Sequence, residues 1–84
     1  MFIEFEQTSK KKRRWLIIHR PSGFPWMGAD ICSKIENKLF ENNERCRIIK
    51  EKGASWYTMH IEFKNDADEA VFILWASGGI NIDI

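Results

Sequence analysis

The sequence predicts a two-layer α+β domain: a mostly antiparallel sheet of four to five strands with two helices on one face. Three observations carry this. Several short segments alternate apolar with polar residues at period two. Two longer segments repeat apolar residues at helical spacing. The order of the two kinds is hairpin then helix, twice over, closing on a short strand. The 84 residues allow one domain, spanning the whole chain.

Residues 2–6 mix aromatic and β-branched side chains with Glu and read as a first strand. Residues 7–12 are polar and read as a loop. Residues 13–20 hold Trp15-Leu16-Ile17-Ile18 between basic ends, a second strand that makes a hairpin with the first. Pro21 and Pro25 then break the pattern, because proline fixes its own φ and donates nothing to a ladder. Residues 29–42 form the clearest helix. Ile31, Cys32, Ile35 and Leu39 share one face, Asp30 is placed to cap the start, and Asn42-Asn43 to end it.

Residues 45–50 read as a strand with Cys46 and Ile48 on one face and Arg45, Arg47 and Ile49 on the other. A turn follows at Lys52-Gly53-Ala54. Residues 55–63 are the strongest strand: Tyr57, Met59, Ile61 and Phe63 alternate with Trp56, Thr58, His60 and Glu62. Asn65 and the acids after it start a helix over 67–76, since the helix dipole favours carboxylates in the first turn. Gly78-Gly79 stop it, and residues 80–84 alternate again. The order is ββαββαβ. Were the first strand peripheral, the remainder would have the element order of a ferredoxin-like fold.

The composition is too apolar for disorder, with 44% hydrophobic residues, six Phe and four Trp. Net charge is +1, but it is divided: residues 1–52 carry twelve Lys/Arg against seven acids, and residues 53–84 one Lys against five. Cys32 and Cys46 form no C-x-x-C pair and read as reduced core thiols. The acidic start lacks the apolar stretch of a signal peptide, and the longest apolar run, 70–76, is too short to span a bilayer. A cytoplasmic location is the expectation, with no membrane association.

Lys10, Lys11, Lys12, Arg13 and Arg14 place five positive charges at the hairpin tip, where they would attract phosphates. The strand phases suggest a second basic element. The phase of residues 13–20 is open; with Leu16 and Ile18 facing in, the sheet face away from the helices would hold Trp15, His19, Arg45, Arg47, Trp56 and His60. Rings interleaved with Arg on an open sheet suit single-stranded nucleic acid or RNA, with bases stacked on rings and phosphates held by Arg. The same residues also fit a structural role in which Trp15 and Trp56 cover one another.

Met59-His60-Ile61-Glu62-Phe63 followed by Lys64-Asn65-Asp66-Ala67-Asp68-Glu69-Ala70 resembles the third strand and second helix of RNA-recognition motifs. That family's octamer opens on a basic residue and Gly and puts aromatics at its third and fifth positions. Here those two positions are Thr58 and His60, and no Gly follows the first residue, so the chain is not assigned to the family.

The last helix is expected to bury Ala67, Ala70, Val71 and Leu74. Phe72, Ile73 and Trp75 then extend its apolar surface towards a protein partner or a second copy, with Trp75 as anchor. Phe24 and Trp26, in a Gly- and Pro-rich loop, are further interface candidates. Catalytic and metal readings have little support. Cys46 and His60 should face opposite ways, two His make a poor metal site, and no phosphate-cradling loop is present. No cofactor is expected. The sequence thus points to a non-enzymatic binding protein acting on nucleic acid or a nucleoprotein. The alternative is a protein-binding inhibitor or adaptor of the kind phages and mobile elements encode, or a homodimer through the last helix.

Overall fold

The computed structural model describes residues 1–20, 22–42 and 45–82. The elements are β1 (Phe2–Ser9), β2 (Arg14–Arg20), β3 (Trp26–Met27), α1 (Ala29–Asn42), β4 (Cys46–Lys52), β5 (Tyr57–Phe63), α2 (Asp66–Ala76) and β6 (Ile80–Asn81). The fold is α+β, and every strand pairing is antiparallel.

β5 is the spine of the sheet. On one side it pairs with β4 along its whole length, from Cys46 opposite Phe63 to Lys52 opposite Tyr57. On the other side it is shared. Its Ile61 half pairs with β2, with Trp15 opposite Ile61, while Thr58 and Tyr57 pair with Trp26 and Met27 of β3. β1 lies between β2 and β6. It is therefore an inner strand, and the condition for a four-stranded ferredoxin-like order, a peripheral first strand, is not met.

The register assigns the faces, because residues directly opposite share a side. Ile3 and Phe5 stand opposite His19 and Ile17, and Trp15 stands opposite Ile61. These side chains and Met59, Phe63 and Cys46 face the helices. Leu16, Ile18, Thr58, His60, Arg47 and Ile49 face the other way. The buried cluster contains Ile3, Ile17, Met59, Ile61 and Phe63 from the sheet, Cys32, Ile35 and Leu39 from α1, and Phe72 and Ala76 from α2. Both helices thus cover one face, as the sequence predicts, and no helix covers the second, on which Ile18 is buried and Leu16, Ile49, Thr58 and His60 are half-exposed.

α1 buries Cys32, Ile35 and Leu39 of the expected stripe, while Ile31 is partly buried at its edge. Asp30 lies within its first turn rather than before it, where a carboxylate still complements the dipole. Asn43 lies outside the described residues, as do Asp83 and Ile84 of the expected last strand. The start of α2 follows the sequence signal closely. Asn65 has an extended backbone, and its side-chain oxygen accepts from the Asp68 amide at 2.9 Å.

The buried face of α2 is not the expected one. Val71 and Leu74 are 60% and 83% exposed, while Phe72 is 1% exposed. Ala67 and Ala70 are exposed too. The helix is apolar on nearly all sides, so periodicity gave no direction. Local chemistry decides it. The Phe72 ring meets Phe5 and Phe63 at 4.9 Å and Trp15 at 5.6 Å. One turn earlier, Glu69 accepts a hydrogen bond from Trp15 Nε1 at 2.9 Å.

Other differences are local. β1 runs on to Ser9 with an irregularity between Gln7 and Ser9, so part of the expected loop is strand. β4 likewise extends to Lys52. β3 was not expected, since two residues carry no period.

Candidate functional site

Three large rings meet on the open face. Pairing with Thr58 places Trp26 on that side of the sheet. Trp56 immediately precedes β5, and the turn before it holds its indole. The Gly53 amide donates to the Trp56 carbonyl at 2.7 Å, and a Cβ at position 53 would stand 2.8 Å from Trp56 Nε1. Only glycine leaves the indole that place. Phe24 is tied to β2, where the His19 amide donates to its carbonyl at 2.9 Å.

Phe24 and Trp26 are stacked at 5.1 Å between centroids and 20° between planes; Trp26 and Trp56 follow at 5.6 Å and 36°. All three stay exposed, by 53%, 49% and 42%. They form a continuous ladder. Along the sequence Phe24 and Trp26 belong to one loop and Trp56 to the start of a distant strand. Their meeting depends on the pairing of β3 with β5, which no local pattern reports.

Trp26 also walls an open groove of about 590 Å³ at the end of the sheet. Met1, Phe2, Met27 and Ile31 supply apolar lining, with His19 and Arg20 beside them. Ladder and groove share one tryptophan and make one surface.

The basic and aromatic residues expected on the open face are only partly there. Trp15 and His19 are corrections: the register turns both towards the helices. The reason is that β2 is an inner strand with apolar neighbours on both faces, so its four consecutive apolar residues hide the phase. Trp15 gains Phe72 and Glu69 on the inner side, which settles the choice. Trp56, His60 and Arg47 do lie on the open side, and Arg45 is exposed in the turn before β4. His60 is only half-exposed. It stands between Leu16 and Ile49, and its Nδ1 is buried with no hydrogen-bond partner among the described residues.

The hairpin tip keeps Lys10, Lys11 and Lys12 exposed, but its arginines are engaged. Arg13 bonds Asp66 at 2.6 Å, which raises its already high pKa. Arg14 pairs with Glu62 at 2.8 Å and holds that carboxyl below the usual carboxylate range. Arg20 pairs with Glu4 at 3.2 Å. The tip lies by the Phe63 end of β5, whereas the ladder lies by the Tyr57 end. Thr58 and Glu62 are separated by roughly 13 Å at the usual strand rise.

Of the interface residues expected on α2, Phe72 is a correction, since it is a core residue in contact with four aromatic neighbours. Trp75 is half-buried and packs against the same core. Ile73 is exposed.

Groups that could react are dispersed. Burial pushes both thiols up from their ordinary pKa. Ser22 Oγ lies 3.1 Å from His19 Nδ1, but it also bonds the His19 carbonyl and the Phe24 amide, so it closes a turn. Among the described residues, no three His, Cys, Asp or Glu side chains gather as metal ligands. No described helix is long and apolar enough to cross a membrane. No family model, curated protein or solved structure is significantly similar to this chain.

Proposed function

We propose that this chain is a small non-enzymatic binding module. It holds a protein partner against the Phe24–Trp26–Trp56 ladder and the groove beside it. The carrying observation is the ladder itself: three rings in mutual contact, each about half exposed. Contiguous aromatic surface of this kind is the usual core of a protein interface, and Trp residues carry a large share of binding energy there.

Charge favours a protein over a nucleic acid. The open face presents Glu4, Glu6, Glu51 and Glu62 against Arg14, Arg20 and Arg47, and two of those arginines are already paired. A phosphate backbone needs unbalanced positive charge. An apolar, weakly charged protein epitope does not.

A single-stranded nucleic acid is the second reading. The flat stacking of the ladder and the exposed Lys10–Lys12 tip favour it, since each stacked base contributes about 1–3 kcal/mol. One experiment separates the two. The chain is immobilised and challenged with nuclease-treated lysate of its source organism, alongside Trp26→Ala and Trp56→Ala variants. The expected result is a discrete protein retained by the parent and lost, at least tenfold, from both variants. No protein retained from the nuclease-treated lysate, or retention that ignores both substitutions, contradicts the proposal. Both residues are exposed, so the variants should fold normally.

A further inference from the structure

The free edge of β4 has a property that the ladder does not explain. β4 pairs with β5 through all seven residues and, among the described residues, with no strand on its other side. It has no bulge or proline to interrupt pairing. Such an edge is a template for another strand, and natural proteins commonly protect it with charge. Here the charges are of both signs. Arg47 and Glu51 are exposed on the open face, two residues either side of Ile49.

We propose that β4 pairs antiparallel with β4 of a second copy, about a two-fold axis at Ile49. The edge is self-complementary in charge. In that register Arg47 stands directly opposite Glu51 of the partner subunit, the reciprocal pair repeats it, and Ile49 meets its own copy between them. Opposite charges at facing positions stabilise a strand pair, whereas like charges oppose it.

Neighbouring registers that keep the faces matched are worse. A shift one way sets Lys50 against Lys50, Glu51 against Ile49 and Arg47 against Gly53 beyond the strand, so both opposite-charge pairs are lost. A shift the other way sets Arg47 against Ile49, and leaves Glu51 only Arg45, which lies outside the strand. In the preferred register Lys50 is not left seeking a partner across the seam, because Glu36 of its own α1 holds it at 2.7 Å.

The helix layer is consistent with closure. Phe40 is 45% exposed and lies one turn after Glu36, on the flank of α1 that reaches β4. Joining two β4 edges brings two such flanks together above the seam and gives both Phe40 rings apolar surroundings. The two open faces become one continuous face, with a ring ladder from each copy.

Sedimentation velocity across a range of concentrations tests this. The parent chain is expected to shift from monomer to dimer as concentration rises. Arg47→Glu or Glu51→Arg alone turns both cross-pairs repulsive and should raise the dissociation constant at least tenfold. The double variant Arg47→Glu/Glu51→Arg restores opposite charges in the same register and should recover the parent dimer. A chain monomeric at every concentration overturns the proposal. So does a dimer that neither single variant weakens, or one that the double variant fails to restore. Loss of dimer leaves monomer capture by the ladder untouched, so failure here is distinct from failure of the proposed function.

Discussion

Phe72→Ala is expected to remove most of the stability of the domain. The ring is 1% exposed and meets Phe5, Trp15, Phe63 and Trp75. Truncating a buried Phe loses its transfer free energy and leaves a cavity, together about 3–5 kcal/mol. A domain of this size has little more than that in total, about 3–5 kcal/mol from its core. The variant should therefore show no cooperative unfolding transition in urea at room temperature, or a strongly reduced midpoint. Leu74→Ala makes the comparison. Leu74 lies on the same helix but is 83% exposed, and its loss should change stability by under about 0.5 kcal/mol. Equal effects at the two positions would contradict docking of α2 through Phe72, and a larger effect at Leu74 would mean that it is docked by its other face.

Gly79→Ala is the second large effect. Gly78 and Gly79 both have positive φ, 80° and 94°, as the chain leaves α2 for β6. An L side chain at either position is strained by about 1–3 kcal/mol. At Gly79 there is also no room: a Cβ would stand 2.7 Å from the Ile3 carbonyl oxygen and 2.5 Å from a Phe2 ring carbon. The Phe2 ring could turn aside. The Ile3 carbonyl belongs to β1 where it pairs with Ile80, so relief would separate β6 from the sheet. At Gly78 nothing lies within 4 Å of the same Cβ. Gly79→Ala should therefore lower the melting temperature more than Gly78→Ala, by upwards of about 4 °C if the clash costs only about 1 kcal/mol. Thermal unfolding of the two variants side by side reads this directly, and indistinguishable midpoints would contradict the close approach.

Much of the fold is legible in the residues. The strict alternation through Tyr57, Met59, Ile61 and Phe63 locates β5 and its inner face, because one face meets the core and the other does not. Asn65 and the acids behind it locate the start of α2 through the chemistry of unpaired helix amides. What the residues conceal has a common cause. Trp15-Leu16-Ile17-Ile18 and Val71-Phe72-Ile73-Leu74-Trp75 are apolar on every side, so neither carries a phase. In both cases a polar detail resolves it: Glu69 bonds Trp15 Nε1, which turns Trp15 inward and places Glu69 and Phe72 against the sheet.

The candidate site was legible as components. Phe24, Trp26 and Trp56 each stand out in the sequence as large rings beside breaks in pattern. Their assembly required the two-residue strand β3 to take over from β2 along β5, a contact between segments thirty residues apart. The basic tip misled for a related reason. Its charge is plain in the sequence, but Asp66 and Glu62, which engage Arg13 and Arg14, arrive from fifty residues away.

Trp26 and Trp56 lie together on the open face while Trp15 faces the helices. Oxidation of the folded chain with limiting N-bromosuccinimide, read by peptide mass spectrometry, measures this at each tryptophan. Trp26 and Trp56 are expected to react first, being 49% and 42% exposed. Trp15, half-buried with its Nε1 bonded to Glu69, should react later than both. Trp15 oxidised as fast as Trp26, or Trp26 and Trp56 protected while Trp15 reacts, would contradict this placement of the three indoles.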